Sequence, residues 1–259
     1  MLLALDLGNT SLKAGLLSET GEVRWETHIK HHHSSLFLNP CLLHAGAGPS
    51  KKDFWPEEIT EVRLASVVPD LTKKVQRHLS RLLDLPVKIL KRENLPLKVT
   101  VTKPQEVGID RLLNTLAAGS LYRKPVVVVD CGTALTFDLV TREGNYAGGI
   151  ITLSPELARD SLADRTALLP RIELKTPKSV VGKNTVECLR AGLILGFADL
   201  ITGLLRRLEK EWEPKFTVVG TGGGFPLLLP HLSPAFIFDP HLSLKGIFLS
   251  KNKRAKRSK

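Results

Sequence analysis

Two segments far apart in the chain follow one plan. Leu2–Leu17 (LLALDLGNTSLKAGLL) starts with an apolar run, breaks at Asp6-Leu7-Gly8-Asn9-Thr10, and resumes with Leu12, Ala14 and Leu16. Val126–Val140 (VVVVDCGTALTFDLV) repeats it, with Asp130, Gly132 and Thr133 in the break. A buried strand, a tight polar turn and a returning strand make a β-hairpin. Asp6 and Asp130 hold equivalent places in the two hairpins, so the chain reads as one fold unit built twice.

At 259 residues the chain can form two compact domains, each of roughly 100–150 residues. The expected division is 1–119, 120–250 and a basic tail over 251–259. The N-terminus has no basic stretch before its short apolar run, so it does not read as a signal peptide. No uninterrupted apolar run is expected to span a membrane; the longest candidate, Ala191–Leu205, contains Asp199. Cys41, Cys131 and Cys188 are odd in number and form no CxxC pair. That pattern points to a reducing, cytoplasmic compartment and away from a disulfide framework or a zinc site.

The net charge of +11 is unevenly placed: six of the positive charges lie in the last nine residues. Such a tail reads as a solvated, disordered end, with nonspecific attraction to a polyanion as the alternative. No RNP motif, helix-turn-helix signature or aromatic-interleaved basic stripe accompanies it, so nucleic acid is not an expected partner.

Along the chain, Glu22–Lys30 predicts a third strand and His31–Ser50 an irregular connection. The run His31-His32-His33 has no carboxylate or cysteine to complete a ligand set and is expected in a solvated loop. Val62–Val68 predicts a buried strand, followed by a helix capped by Asp70 with Leu71, Val75, Leu79, Leu82 and Leu83 on one face. Val87–Leu90 and Leu97–Val101 read as short strands, and Gly108–Tyr122 as a helix bridging the halves. After the second hairpin come a strand over Tyr146–Leu153 and a helix over Ser154–Ala167. Asn184–Arg207 predicts a long helix whose apolar stripe runs Leu189, Leu193, Phe197, Leu200, Leu204 and Leu208. Lys215–Val219 reads as a strand entering Gly220-Thr221-Gly222-Gly223-Gly224, then a short helix. The predicted class is α/β, each half a sheet with flanking helices.

Glycine turns let backbone N–H groups approach phosphate oxygens, and threonine hydroxyls add donors. A carboxylate at each strand end can hold Mg²⁺ against a triphosphate. Gly222–Gly224 offers a flat surface for an adenosine. A Walker P-loop is absent, as is a GxGxxG after the first strand, which excludes the P-loop and dinucleotide-binding folds.

Two phosphate turns and one adenosine turn, in that order, resemble the acetate and sugar kinase, Hsp70 and actin superfamily. Within it the chain resembles the type III pantothenate kinases. The resemblance rests on Asp6–Thr10, Ser66-Val67-Val68-Pro69, Pro104 with Gly108-Ile109-Asp110-Arg111, and Asp130-Cys131-Gly132-Thr133. Gly148-Gly149-Ile150-Ile151, Ala167-Leu168-Leu169-Pro170 and Gly182-Lys183-Asn184-Thr185 complete it. It implies two tandem ribonuclease H-like (actin-like ATPase) domains. It also implies ATP-dependent phosphorylation of the primary hydroxyl of pantothenate, with Mg²⁺ and a monovalent cation, K⁺ or NH₄⁺, in a homodimer.

By the same resemblance Asp110 is the general base, and Gly108, Ile109, Arg111, Thr185 and Val101 line the substrate. ATP would be held by Asp6, Leu7, Gly8, Asn9, Thr10, Ser11, Leu12 and Lys13, with Thr133, Gly222 and Gly223. Asp6 would meet Mg²⁺ through water and Asp130 the monovalent cation. Thr185 opens a helix, so an N-cap role for it or Asn184 stands beside the substrate role. Where the family often has a tyrosine, Val101 stands, and Leu153-Ser154 replaces a Pro-Gly pair before Pro155. Two rival functions remain: a non-catalytic transcription accessory factor, which the basic tail would suit, or a kinase for another small hydroxy acid or sugar.

Overall fold

The computed structural model describes residues 1–31, 59–232 and 235–251. His32, His33, Cys41 and most of the basic tail lie outside the described residues. The chain divides into two compact units, Met1–Ala117 with the segment from His241, and Ala118–Pro240.

The first unit contains β1 (Leu2–Leu7), β2 (Ser11–Leu17), β3 (Val23–Lys30), β4 (Glu61–Ser66), α1 (Pro69–Leu83) and β5 (Val87–Ile89). Helix α2 (Ile109–Leu121) carries the chain across the division into β6 (Val126–Cys131), β7 (Ala134–Val140) and β8 (Tyr146–Leu153). Then follow α3 (Pro155–Arg165), α4 (Thr185–Glu211), β9 (Thr217–Thr221), α5 (Phe225–Leu228) and β10 (Ile237–Phe238). Helix α6 (Leu242–Leu249) belongs to the first unit, although in sequence it follows the second.

The duplication is visible in the sheets. One is ordered β3-β2-β1-β4-β5 and the other β8-β7-β6-β9-β10, each an antiparallel meander joined to a parallel pair. The hairpin strands match residue by residue. In β1 and β6 the first four residues are buried, the aspartate is half-buried, and the last residue is buried again. A central strand flanked by a parallel neighbour is covered on both faces, which explains its near-continuous apolar run.

Each sheet packs its own helix. In the first core Leu3, Leu5, Leu7 and Leu64 meet Leu71, Val75 and Leu79 of α1. In the second, Val127, Val129 and Phe137 join Ile194, Ile201 and Leu205 of α4. Several expectations are corrected. Pro69 occupies the first turn of α1 and Asp70 lies beside it in the turn without a capping side-chain bond, while Leu82 is exposed. Leu97–Val101 forms no strand, only an isolated bridge at Val99. The buried face of α4 runs through Ala191, Leu193, Ile194, Ala198, Ile201 and Leu205, rotated from the predicted stripe. Small alanines let that face approach the sheet, and the larger leucines flank it.

By length and composition α4 could also cross a membrane, although charged residues interrupt its apolar run. Glycine, threonine and the charges of Arg190 and Asp199 do not lower its apolarity enough to exclude it. Its Ile194, Ala198 and Ile201 are nonetheless buried in the chain's own core.

Helix α6 was not visible in the sequence, and Arg63 explains its place. This arginine on β4 is 1 % exposed. Its guanidinium pairs with Glu61 at 2.7–2.8 Å and donates to the carbonyls of Ile247 and Phe248, both at 2.9 Å. It thus satisfies carbonyls at the C-terminal end of α6, where a cation also meets the negative end of the helix dipole. Gly246 lies so close to the Leu113 carbonyl that a Cβ would not fit. Losing the acceptors of a buried guanidinium costs about 3 kcal/mol or more. The helix is therefore fixed firmly over β1.

Candidate active site

The first turn closes by a hydrogen bond from the Gly8 N–H to the Ser11 carbonyl at 2.9 Å, with Asp6 paired opposite Lys13 across the hairpin. Leu7 and Leu12 are buried, so their side chains belong to the core and only their backbone remains for a ligand. Asn9 and Thr10 are exposed at the tip. A Cβ at Gly8 would make only ordinary contact with the Ser11 carbonyl. The turn itself does not demand a glycine there; its effect is to leave the surface bare. His31, expected in a solvated loop, is instead buried against this turn.

In the first unit the carboxyl of Asp6 is perturbed by its surroundings. Burial, then the like charge of Asp110, pushes its carboxyl up to about 6, while a hydrogen bond from Ser243 and the charge of Lys13 pull it down. A carboxylate distant in sequence therefore bears on Asp6. Ser243, in the first turn of α6, is a contact that the sequence reading missed. A lone serine in an apolar segment carries no signal until the helix is placed.

Asp110 lies in the first turn of α2, where a carboxylate meets the positive end of the helix. Its Oδ1 accepts the Arg111 backbone N–H at 2.9 Å. A Cβ on Gly108 would collide with that same oxygen. Gly108 therefore makes room for the Asp110 carboxylate. Ile109 is buried, whereas Arg111 and Val101 are half-buried.

The second turn is built differently. Gly222 has φ +90°, and a Cβ there would strike Asp130 Oδ1 and the Cys131 carbonyl. Glycine is required at that position by backbone geometry as well as by crowding. At Gly223 nothing lies within 4 Å of a Cβ, so this glycine is open surface. Thr133 is exposed, and its carbonyl accepts from Ser154 Oγ at 2.9 Å. The same Ser154 oxygen accepts the Leu157 N–H at 3.2 Å as the N-cap of α3. The departure at Leu153-Ser154 thus props the second turn. Cys131 is buried, and burial followed by the charges of Asp130 and Glu156 pushes its thiol up to about 12, which leaves it inert.

At α4 the alternatives for Thr185 separate. Asn184 is the N-cap, its Oδ1 accepting the Glu187 N–H at 3.0 Å, and Glu187 returns to the Lys183 N–H at 2.8 Å. Thr185 is left exposed at the helix start.

A comparison of the sequence with known families decides the assignment. The model of the type III pantothenate kinase family matches residues 2–207. The chain belongs to the type III pantothenate kinases. A type III pantothenate kinase of Thermus thermophilus is 39 % identical over 261 residues, covering 95 % of this chain and 97 % of the relative. Among solved structures, a Campylobacter jejuni protein assigned to the Baf family of transcriptional activators superposes with TM-score 0.59 at 18 % identity, covering 96 % of each chain. The activator of 2-hydroxyisocaproyl-CoA dehydratase from Clostridium difficile, with bound ADPNP, gives 0.57 at 12 % identity, covering 96 % and 94 %. At such identities the structural likeness speaks for the fold, two actin-like ATPase domains, and for nothing further. The two hairpin turns at Asp6 and Asp130 and the Gly108–Arg111 box all lie within the matched residues.

The raised Asp6 carboxyl has a sign that can be tested. Its ordinary value is 3.8 and its folded value about 6. A group raised on folding stabilises the fold at low pH and loses that contribution as pH rises through the folded value. The gap is worth up to about 3 kcal/mol. In metal-free urea melts, Asp6→Asn is expected to gain stability over the wild type above about pH 6, with the advantage fading below about pH 4. An advantage that does not change with pH would contradict the raised carboxyl of Asp6.

Proposed function

We infer that this chain transfers the γ-phosphoryl group of ATP to the primary 4′-hydroxyl of pantothenate, the first step of coenzyme A biosynthesis. The observation that carries this reading is the match to type III pantothenate kinases over nearly the whole chain, with Asp110 electrostatically coupled to the Asp6 turn. No observation favours the accessory-factor reading over it.

An alkyl alcohol is a weak nucleophile, so its proton must pass to a base as the phosphoryl group arrives. Asp110 is proposed as that base. Its Oδ1 is engaged by the Arg111 N–H, which orients the carboxylate and leaves Oδ2 for the substrate hydroxyl. The Arg111 guanidinium suits the carboxylate of pantothenate. Thr185 and Val101 are proposed as further substrate contacts, with Val101 offering an apolar surface and no hydroxyl.

The β- and γ-phosphates are assigned to the turn Asp6–Lys13, and Thr133, Gly222 and Gly223 to the rest of ATP. Asp6 suits Mg²⁺: it is a hard oxygen donor whose charge is opposed by Asp110 and only partly offset by Lys13 and Ser243. Among the described residues no cluster of three metal-ligating side chains occurs, so Asp6 would hold the ion through water and phosphate oxygens. When bound, Mg²⁺ neutralises charge on the phosphates during transfer. Asp130 is assigned to a monovalent cation, K⁺ or NH₄⁺; it faces Thr136 and Thr221 across its two neighbouring strands, an oxygen-rich setting. We assign the enzyme to the cytoplasm.

A homodimer is part of the proposal. Gly192, Gly196 and Gly203 form an exposed line on α4 with nothing within 4 Å of a Cβ. Leu168, Val180 and Val181 are exposed as well, at 90 %, 76 % and 65 %. Sedimentation is expected to give a dimer that Gly196→Leu dissociates; a wild-type monomer, or an unaffected variant dimer, would count against this face.

For the reaction, Asp110→Asn is expected to lower pantothenate-dependent ADP release by about 10²–10⁴-fold while ATP affinity is kept. A mutant that retains the full rate, or a wild type without pantothenate-dependent turnover, overturns the assignment. In the same assay, omission of K⁺ and NH₄⁺ should abolish turnover, and persistence without either cation removes the role given to Asp130.

A further inference from the structure

Strand β3 delivers His31 to the underside of the first turn. Its backbone N–H donates to the Thr10 carbonyl at 2.8 Å, extending the β2–β3 ladder by one residue. Its ring reaches further, placing Nε2 at 3.1 Å from the Gly8 carbonyl. A carbonyl only accepts, so Nε2 carries the proton and donates. The side chain is 6 % exposed, and Nδ1 is buried with no hydrogen-bond partner among the described residues. An aliphatic side chain would fill the same space without stranding a buried nitrogen. Packing alone therefore does not account for a histidine here.

The two bonds fix which way the turn faces. The peptides here are trans, the one described cis bond being Lys124–Pro125. In a trans peptide the N–H points opposite the preceding carbonyl. Holding the Gly8 carbonyl toward His31 turns the Asn9 N–H to the far side, over a glycine that leaves the surface bare. The ring's bond to the Gly8 carbonyl acts directly on the Gly8–Asn9 peptide plane, at the exposed tip of the turn.

We propose that His31 is a positioning residue for ATP: its imidazole and backbone hold the Gly8 and Thr10 carbonyls toward β3, so that the Asn9 N–H is presented to the phosphates. This rests on the assignment of Asp6–Lys13 as the phosphate turn. His31 touches neither substrate nor reacting atoms and acts through the turn.

The test compares His31→Leu, which fills the space without a donor, with His31→Gln, whose amide reaches about as far as Nε2. The account expects His31→Leu to raise KM for ATP about 5–10-fold, the effect of one lost hydrogen bond, with KM for pantothenate and the thermal midpoint nearly unchanged. His31→Gln should restore the wild-type KM for ATP. An unchanged KM for ATP in His31→Leu, or a rise that His31→Gln shares, overturns the proposal. If His31→Leu does not fold, His31→Asn replaces it: the shorter amide must raise KM for ATP while the longer does not, and equal values overturn the proposal. Lys13→Ala separates the two levels of the argument. If it raises KM for ATP while His31→Leu does not, only the role of His31 fails; if neither does, the phosphate-turn assignment fails with it.

Discussion

The structure depends on a carboxylate placed where a doubly covered strand runs out. In β1 and β6 four buried apolar residues lead to a half-buried aspartate. The apolar run is held by packing on both faces, so the aspartate cannot slip outward without pulling core residues into water. Each buried leucine or valine contributes roughly 1.5–3 kcal/mol, so that the three leucines before Asp6 and the four valines before Asp130 outweigh what the carboxylate loses by partial burial. The core wins, and the charge is held at the strand end beside a polar turn. A hydrated cation or a ligand's positive partner is the natural relief for that charge.

The two copies of this device have diverged through their supports rather than their strands. At the first turn, Asp6 is opposed by Asp110, assisted by Ser243, and the turn is braced by His31 from β3. At the second, Asp130 is crowded by Gly222, and the turn is braced by Ser154, which also caps α3. The same hairpin thus carries a like-charge pair in one unit and a carboxylate among threonines in the other. On that difference rests the proposal of a base and a divalent ion at the first turn and a monovalent ion at the second.

Much of this was legible in the sequence because it rests on local pattern. The hairpins, the Asp–Gly turns and the Gly108–Arg111 box are contiguous, and alternating or continuous apolar runs report burial directly. What was hidden depends on contacts between distant residues. Ser243 looks like any small polar residue until Arg63 fixes α6 over the first sheet, and His31 looks like the start of a histidine-rich loop. The α4 stripe was misplaced because large leucines outweigh alanines in a hydrophobic pattern, although close packing favours the smaller side chains. Leu97–Val101 alternates like a strand but finds only a single bridging partner, at Val99. At Gly108 the lack of a Cβ makes room for the Asp110 carboxylate, a contact between side chain and backbone that the motif does not display.

The central claim is that Asp6 and Asp110, remote in sequence, share one electrostatic site. Carbon-13 NMR of the labelled Asp6 carboxyl in metal-free protein measures this directly. The account predicts a wild-type titration midpoint near 6 that falls when Asp110 is replaced by asparagine, since a like charge is removed. A wild-type midpoint near the ordinary 3.8, or one indifferent to Asp110→Asn, would contradict it.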